Sequence, residues 1–187
     1  MKKTLSLLLV CLLSAITVNA QKEKVYVYGV DFSQVKTYAA DESPEQFAAA
    51  FKGINMLLMT EYEKYDFSKM LNTRLDVDLE MMLKKMDGCS YADMKVWGTS
   101  YEELDYSSMI SEYDLKQLEG TGVVLIAKFL NKATAEATYE LVLFDIATRE
   151  IQSQKTVVGK ARGFGLRNFW AGSVYNVLQT TRVRVTQ

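Results

Sequence analysis

The sequence predicts an α+β domain, an α/β two-layer sandwich with a mixed, mostly antiparallel sheet of about five strands and two long helices on one face. Three observations support this fold. Two segments repeat apolar residues at helical spacing, several runs have the length and composition of strands, and the last three of these runs are separated by short polar turns. Hydrophobic residues make up 49% of the chain, which is enough for one core.

The first twenty residues have the pattern of a secretory signal peptide. Lys2 and Lys3 precede an apolar run at 5–18, which is shorter than the ~20 residues of a membrane-spanning helix. We therefore expect cleavage after Ala20 and an exported product, periplasmic or secreted, without a stable membrane anchor. Residues 21–187 then form a single globular α/β domain.

The next elements are a strand and a long helix. Residues 25–32 and 35–38 are rich in β-branched and aromatic side chains, which is typical of strands. Ser43 and Gln46 form a capping-box pattern at the start of a helix over 44–64.

The middle of the chain is less regular. Residues 75–83 alternate between apolar and polar side chains, which predicts a strand buried on one face, although a helical phase through Leu79 and Met86 competes with it. A short helix is expected over 111–118, closed by Gly120.

The last third is the most regular part of the sequence. A nearly continuous apolar run at 123–130 predicts a central strand. Residues 138–145 and 150–158 follow it as an antiparallel meander. Apolar positions at helical spacing then predict a closing helix over 166–181.

Composition excludes several classes of function. The chain has no histidine, which rules out Ser-His-Asp triads, Cys-His dyads and histidine-bearing zinc sites. Acidic side chains outnumber basic ones and no basic run follows the signal, so nucleic acid is not an expected partner. Cys89 is the only cysteine after the signal, so no intramolecular disulfide is expected, and the thiol is either a structural or bystander group or a reactive or intermolecular one. We assign no catalytic residue, metal ligand or cofactor.

A glycine-rich loop lies between the last predicted strand and the closing helix. Its candidate binding residues are Arg162, Gly163, Gly165, Arg167 and Asn168, because backbone amides at a helix start and nearby arginines can hold an anion or contact a partner. The spacing matches neither a P-loop nor a dinucleotide fingerprint. The alternative interpretation is a tight structural turn.

Two acidic segments have similar alternatives. Asp76, Asp78 and Glu80 share one face of the predicted strand, where they would bind Ca²⁺, supply acid–base chemistry or simply face solvent. Residues 101–114 mix acids with tyrosines, which is typical of a recognition surface or of an ordinary surface with half-buried rings.

The segment 138–178 resembles a part of known bacterial envelope domains. Its hairpin, with a polar turn at 145–150, a glycine break and a closing helix, is similar to the TolB amino-terminal and CsgG-like domains, which carry glycine where this chain has Arg149. Together with residues 25–38 and the 167–172 segment, the chain resembles uncharacterised exported proteins of Bacteroides-type bacteria. The resemblance implies an envelope fold and transfers no catalytic residue.

These observations predict a non-enzymatic exported domain that binds a protein or another envelope component. The alternative is a small-ligand or anion-binding protein, or a carboxylate-based enzyme, that uses the 159–167 loop or the Asp76, Asp78 and Glu80 set. An open sheet edge would also be compatible with a homodimer.

Overall fold

A computed structural model describes residues 24–185, which form a seven-stranded sheet and five helices. The predicted signal peptide lies outside these residues. Among them, no helix is long and apolar enough to cross a membrane. The strands are β1 (Val25–Asp31), β2 (Lys36–Tyr38), β3 (Asp76–Val77), β4 (Lys95–Val96), β5 (Thr121–Asn131), β6 (Glu136–Asp145) and β7 (Ile151–Lys160), and the helices are α1 (Pro44–Thr60), α2 (Phe67–Leu71), α3 (Glu80–Asp87), α4 (Tyr106–Ser111) and α5 (Leu166–Thr180).

The sheet is built around β5. One edge of β5 pairs in parallel first with β1 and then with β2. Further out, β1 pairs in parallel with β3, and β2 pairs in parallel with β4. The other edge pairs with β6, which pairs with β7, and both of these pairings are antiparallel. The predicted meander is therefore confirmed over β5 to β7.

The prediction of a mostly antiparallel sheet of about five strands is wrong. Within the described chain, four of the six strand pairings are parallel. The chain passes through four helices between β2 and β5, and a crossover of this kind is what parallel strands require. Apolar patterning reports which face of a strand is buried, but it does not report the direction of the strand's neighbour.

The predicted strand over 75–83 is also wrong. Only Asp76 and Val77 belong to a strand, and α3 follows directly. The helical phase prevails because it buries Leu79 and Met86 together, whereas Val77 remains 40% exposed. Asp78 supports the first turn, since its Oδ1 accepts a hydrogen bond from the Glu80 amide at 3.1 Å.

The short helix expected over 111–118 lies earlier in the chain, as α4. Asp105 caps it, because its Oδ1 accepts a hydrogen bond from the Ser108 amide at 3.0 Å. Residues 112–118 belong to neither a helix nor a strand.

The two faces of the sheet have different covers, which corrects the predicted two-layer arrangement. On one face α1 packs beside α5 and against β1, while α5 packs on β6 and β7, where the Tyr139 and Ser173 hydroxyls are 2.6 Å apart. On the other face, Tyr101 stacks on Phe129. Tyr113 packs edge-on against Phe144 on the same face. Residues 101–118, including α4, thus form a third, partial layer.

An irregularity in β1 ties the sheet to α1. The pairing of β1 with β5 shifts register between Val27 and Val30. Gly29 has φ +90°, and a side chain there would overlap the Asn55 carboxamide. The buried Asn55 accepts a hydrogen bond from the Val30 amide and donates one to the Val30 carbonyl, both at 2.8 Å. Gly29 therefore allows the irregular backbone, and the buried Asn55 side chain forms the hydrogen bonds that Val30 lacks where the β1–β5 pairing is interrupted.

Replacement of Asn55 by leucine should destabilise the fold by about 3 kcal/mol, because it leaves the amide and carbonyl of Val30 buried without partners. Urea unfolding followed by circular dichroism measures this change. The matched control is Asn176→Leu. The side-chain oxygen of Asn176 accepts a hydrogen bond from the backbone amide of Lys160, and Asn176 is more exposed than Asn55. Equal losses for the two variants would contradict the role given to Asn55.

Candidate functional site

Four of the five residues predicted in the glycine loop line one groove at the amino end of α5. Arg162, Gly163, Arg167 and Asn168 contribute to it, and its volume is about 520 Å³. Gly165 does not line the groove but precedes the first residue of α5. We term this cavity the α5 groove. Its other lining residues are Glu61, Lys64, Tyr65, Phe164, Gly172 and Tyr175.

The glycine loop is also a tight structural turn. Gly163 has φ +137°, and a Cβ there would lie 2.7 Å from the carbonyl oxygen of Asn168. The amide of Arg162 donates a hydrogen bond to the Phe169 carbonyl at 3.1 Å, so the loop folds back onto the first turn of the helix. The two interpretations of the loop are therefore compatible, because the turn is what places the arginines at the helix start.

The α5 groove has an excess of positive charge. Lys64 pairs with Glu61 at 2.9 Å, and these charges offset each other. Among the described residues, neither Arg162 nor Arg167 forms an ion pair with a carboxylate, although Arg167 Nε donates a hydrogen bond to Asn168 Oδ1 at 3.1 Å. The first turn of α5 contains no acidic residue and no capping side chain. Arg162 and Arg167 thus line the same groove as Asn168 of the first turn of α5, where the helix dipole is positive.

Aromatic side chains border the positive charges. Phe164 is 96% exposed and Tyr62, next to Glu61, is 65% exposed. Tyr65 and Tyr175 line the groove and pack edge to face, with ring centroids 6.3 Å apart. Exposed aromatic rings beside arginine are enriched at protein interfaces.

The three carboxylates predicted to share a strand face do not form a common site. Asp76 is exposed in β3, and Asp78 Oδ2 accepts a hydrogen bond from Gln117 Nε2 at 2.9 Å. Glu80 starts α3 and forms an ion pair with Lys116. Among residues 24–185, no group of three or more histidine, cysteine, aspartate or glutamate side chains is placed to hold a metal ion.

The tyrosines of the 101–114 segment face the sheet. Tyr106 donates a hydrogen bond to Glu103, and Glu103 pairs with the buried Lys128 at 2.8 Å. Although burial alone would lower it, these partners raise the pKa of Lys128 above its usual value. Glu140 lies 3.8 Å from the same ammonium group. These contacts attach the segment to β5 and β6, so they give it a packing role.

The sequence did not reveal a second cavity, of about 370 Å³, where β1 ends and the chain turns toward β2. We term it the strand-break pocket. It lies between the carboxyl end of β1 and the amino ends of β2 and β4, at a break in the sheet that no local pattern in the sequence indicates. The pocket is lined by Ser33, Gln34, Val35, Lys36, Lys85, Cys89, Ser90, Tyr91, Asp93, Met94, Met109 and Glu112.

A buried carboxylate lies next to the strand-break pocket. Asp31 is wholly buried, and its Oδ1 accepts a hydrogen bond from the Ser33 amide at 2.8 Å. Its Oδ2 accepts one from the Tyr113 hydroxyl at 2.8 Å and lies 3.0 Å from the Lys85 ammonium group. Lys85 also lies over the Tyr113 ring. The carboxylate is therefore fully compensated and links β1, α3 and the 112–118 chain.

Cys89 is a free thiol in this pocket, and the described chain contains no disulfide. Burial, followed by the negative charge of Asp31, raises the pKa of the Cys89 thiol. The thiol donates a hydrogen bond to the Lys85 carbonyl at 3.3 Å. Since the thiolate is the nucleophile, this environment lowers the reactivity of the Cys89 thiol near neutral pH.

No family model matches the chain, and no curated protein shows significant similarity to it. The resemblance to exported Bacteroides-type proteins and to TolB-like and CsgG-like domains stays a prediction. The function of the chain is therefore inferred from the geometry of the α5 groove.

Cys89 should react with iodoacetamide at pH 7 several-fold more slowly in the folded protein than in the urea-unfolded chain, because its raised pKa leaves less thiolate. The rate should increase as the pH rises through and above the titration range of an ordinary thiol. Mass spectrometry of timed samples measures both effects. A folded-state rate equal to that of the unfolded chain would contradict this description of the thiol.

Proposed function

We propose that this protein is an exported, non-enzymatic binding domain that uses the α5 groove to hold an acidic segment of a protein partner. The observation that supports this proposal is the convergence of Arg162 and Arg167 with the uncapped amino end of α5. The only carboxylate in the lining, Glu61, is already paired with Lys64. A carboxylate-rich ligand would supply the missing negative charge.

The borders of the groove favour a peptide over a small inorganic anion. Phe164, which lines the groove with the arginines, and Tyr62, which follows the lining residue Glu61 in the chain, both present large apolar areas to solvent. An inorganic anion would occupy the helix end and leave these rings uncovered. A peptide would cover the rings while its carboxylates pair with the guanidinium groups, which is the combination typical of interface hot spots.

The chemistry of the groove also favours binding. Arginine remains protonated at any physiological pH, so Arg162 and Arg167 cannot exchange protons with a substrate. Their planar guanidinium groups instead suit bidentate recognition of carboxylates. This supports recognition in preference to acid–base catalysis at this site.

A labelled hexaglutamate peptide should bind the wild-type protein with an affinity that falls as salt is raised, because charge pairs in an open groove are screened. The double variant Arg162→Gln, Arg167→Gln should bind it roughly tenfold more weakly or worse. Fluorescence anisotropy measures both effects. The matched control is Arg184→Gln, which removes an exposed arginine that does not line the groove.

Addition of inorganic phosphate separates the two ligand classes in the same assay. Under the proposal, phosphate competes only at concentrations where sodium chloride has a similar effect. Stoichiometric displacement of the peptide by phosphate would instead support the alternative of a small-anion binder. Equal peptide binding by the double variant and the control would overturn the groove as the site.

A photo-crosslinking residue at position 164 tests the same surface in cells. Phe164 and Trp97 are both fully exposed aromatic residues, and only Phe164 borders the groove. The crosslinker at 164 should yield a discrete adduct that is lost in the Arg162→Gln, Arg167→Gln background. An adduct formed equally from position 97, or one that persists without the arginines, would contradict the proposal.

Export is tested by the mass of the protein isolated from the producing bacterium. Cleavage after Ala20 should give a mature chain that begins at Gln21 and is recovered outside the cytoplasm, because Lys2 and Lys3, the apolar run and Ala20 match the three parts of a signal peptide. An Ala20→Arg variant should retain the precursor mass, since the cleavage position requires a small side chain. A full-length wild-type product in the cytoplasm would contradict export.

A further inference from the structure

The outer edge of β7 is a surface separate from the α5 groove. Three strands lie at the edges of the described sheet, and two of them, β3 and β4, contain only two residues each. Strand β7 has ten residues, contains no proline and pairs only with β6 within the described chain. A long edge strand presents a row of backbone donors and acceptors with which another strand can pair.

The direction of each backbone amide in β7 follows from its pairing with β6. The amide of Ala161 donates to the Ala135 carbonyl at 2.7 Å, so the odd-numbered residues bond to β6 and the even-numbered residues point outward. The amide of Lys160 fits this alternation, because it donates instead to Asn176 Oδ1 of α5 at 3.0 Å. The register with β6 is continuous over 153–160, so the alternation holds along this whole stretch.

Helix α5 covers one end of the edge and leaves the stretch before it open. Three outward amides precede Lys160, those of Gln154, Thr156 and Val158, and no hydrogen bond from residues 24–185 reaches them. The side chains of the same three residues are exposed, and that of Val158 is 51% exposed. We term residues 153–159 the open edge.

Lysine side chains determine which strand the open edge accepts. Residues 151–160 contain Lys155 and Lys160 and no acidic residue. Both lysines are exposed, and neither forms an ion pair among the described residues. Pairing with a second copy would place two lysines from each chain on one ribbon without a carboxylate, which is unfavourable. A strand with acidic side chains would make attractive contacts with the same lysines.

We infer that the open edge of β7 accepts an extended, acidic segment of a protein partner as an added strand. Backbone hydrogen bonds to Gln154, Thr156 and Val158 hold the segment, and its carboxylates lie beside Lys155 and Lys160. The inference shares with the proposed function only the acidic character of the ligand, because no residue of β7 lines the α5 groove.

Hydrogen exchange followed by NMR tests whether the edge is open in the free protein. The amides of Gln154, Thr156 and Val158 should exchange about tenfold faster, or more, than those of Lys155 and Val157, because only the latter two bond to β6. Equal protection of all five amides would show that the edge is covered and would overturn the inference.

The probe for binding is an end-blocked hexapeptide of alternating glutamate and threonine. It is added to the Arg162→Gln, Arg167→Gln protein, so that the α5 groove does not contribute. The peptide should slow exchange at residues 154, 156 and 158, and salt should weaken its binding. The same peptide methylated at every backbone nitrogen keeps its charges but cannot donate backbone hydrogen bonds, so it should bind about tenfold more weakly or worse. A lysine–threonine hexapeptide should not bind.

Two variants of the edge test its two components. Gln154→Pro removes one outward amide at a position where an edge strand tolerates proline, and it should weaken binding about tenfold while circular dichroism stays unchanged. Lys155→Gln removes the central charge and should weaken binding several-fold without any effect on the backbone. The matched control is Lys95→Gln, which removes an exposed lysine of the short edge strand β4 and should leave binding unchanged.

Several results would overturn the inference. They are unchanged exchange at 154, 156 and 158 with the peptide, equal binding of the methylated peptide, preference for the lysine peptide, and equal binding by Lys155→Gln and Lys95→Gln. A dimer in light scattering whose outward β7 amides are protected without peptide would assign the edge to a second copy. Failure of hexaglutamate to bind the wild-type groove, with edge protection intact, would overturn the proposed function alone.

Discussion

The structure depends on one strand, β5, that is buried on both faces and hydrogen-bonded on both edges. All but the last of its residues, from Thr121 to Leu130, are buried. A strand in this position needs two neighbours and two covering layers, because its backbone and its side chains have no access to water. Four parts of the fold meet this requirement. The β1–β2 edge and the meander supply the two neighbours, and the α1–α5 layer and the chain at 101–118 supply the two covers.

The cover on the second face is held by polar groups, which explains its irregular appearance in the sequence. The buried Asp31 binds Tyr113 and Lys85, and the buried Lys128 binds Glu103. Each of these charges is stabilised by several partners, since Glu140 also lies 3.8 Å from Lys128 and the Ser33 amide also donates to Asp31, and an ion without partners in the core would be costly. The path of the 101–118 segment is therefore set by its contacts with these two buried charges, so the segment needs no regular apolar repeat. Its tyrosines supply apolar area and hydroxyls at the same points.

The sequence predicted what local physics determines. The capping box at Ser43, the closing helix and the meander were predicted correctly, because each depends on residues close together in the chain. The α5 groove was partly predictable for the same reason, since its arginines flank one turn. Strand direction, the fate of 75–83 and the strand-break pocket were not predictable. They depend on contacts such as Asp31 with Tyr113, which are 82 residues apart, and no local pattern encodes such contacts.

Helix α1 connects the two cavities and determines how independent they are. Its Phe51 supports Tyr91 of the strand-break pocket, while Glu61 at its carboxyl end lines the α5 groove. Ten residues of helix separate these positions by roughly 15 Å. Asn55 lies between these two positions and forms two hydrogen bonds to the backbone of β1. These bonds fix α1 at the point through which a movement at one cavity would reach the other. The Arg167 side chain packs beside Gly53, two residues along α1 from the Phe51 that contacts Tyr91, so both cavities depend on this one stretch of helix.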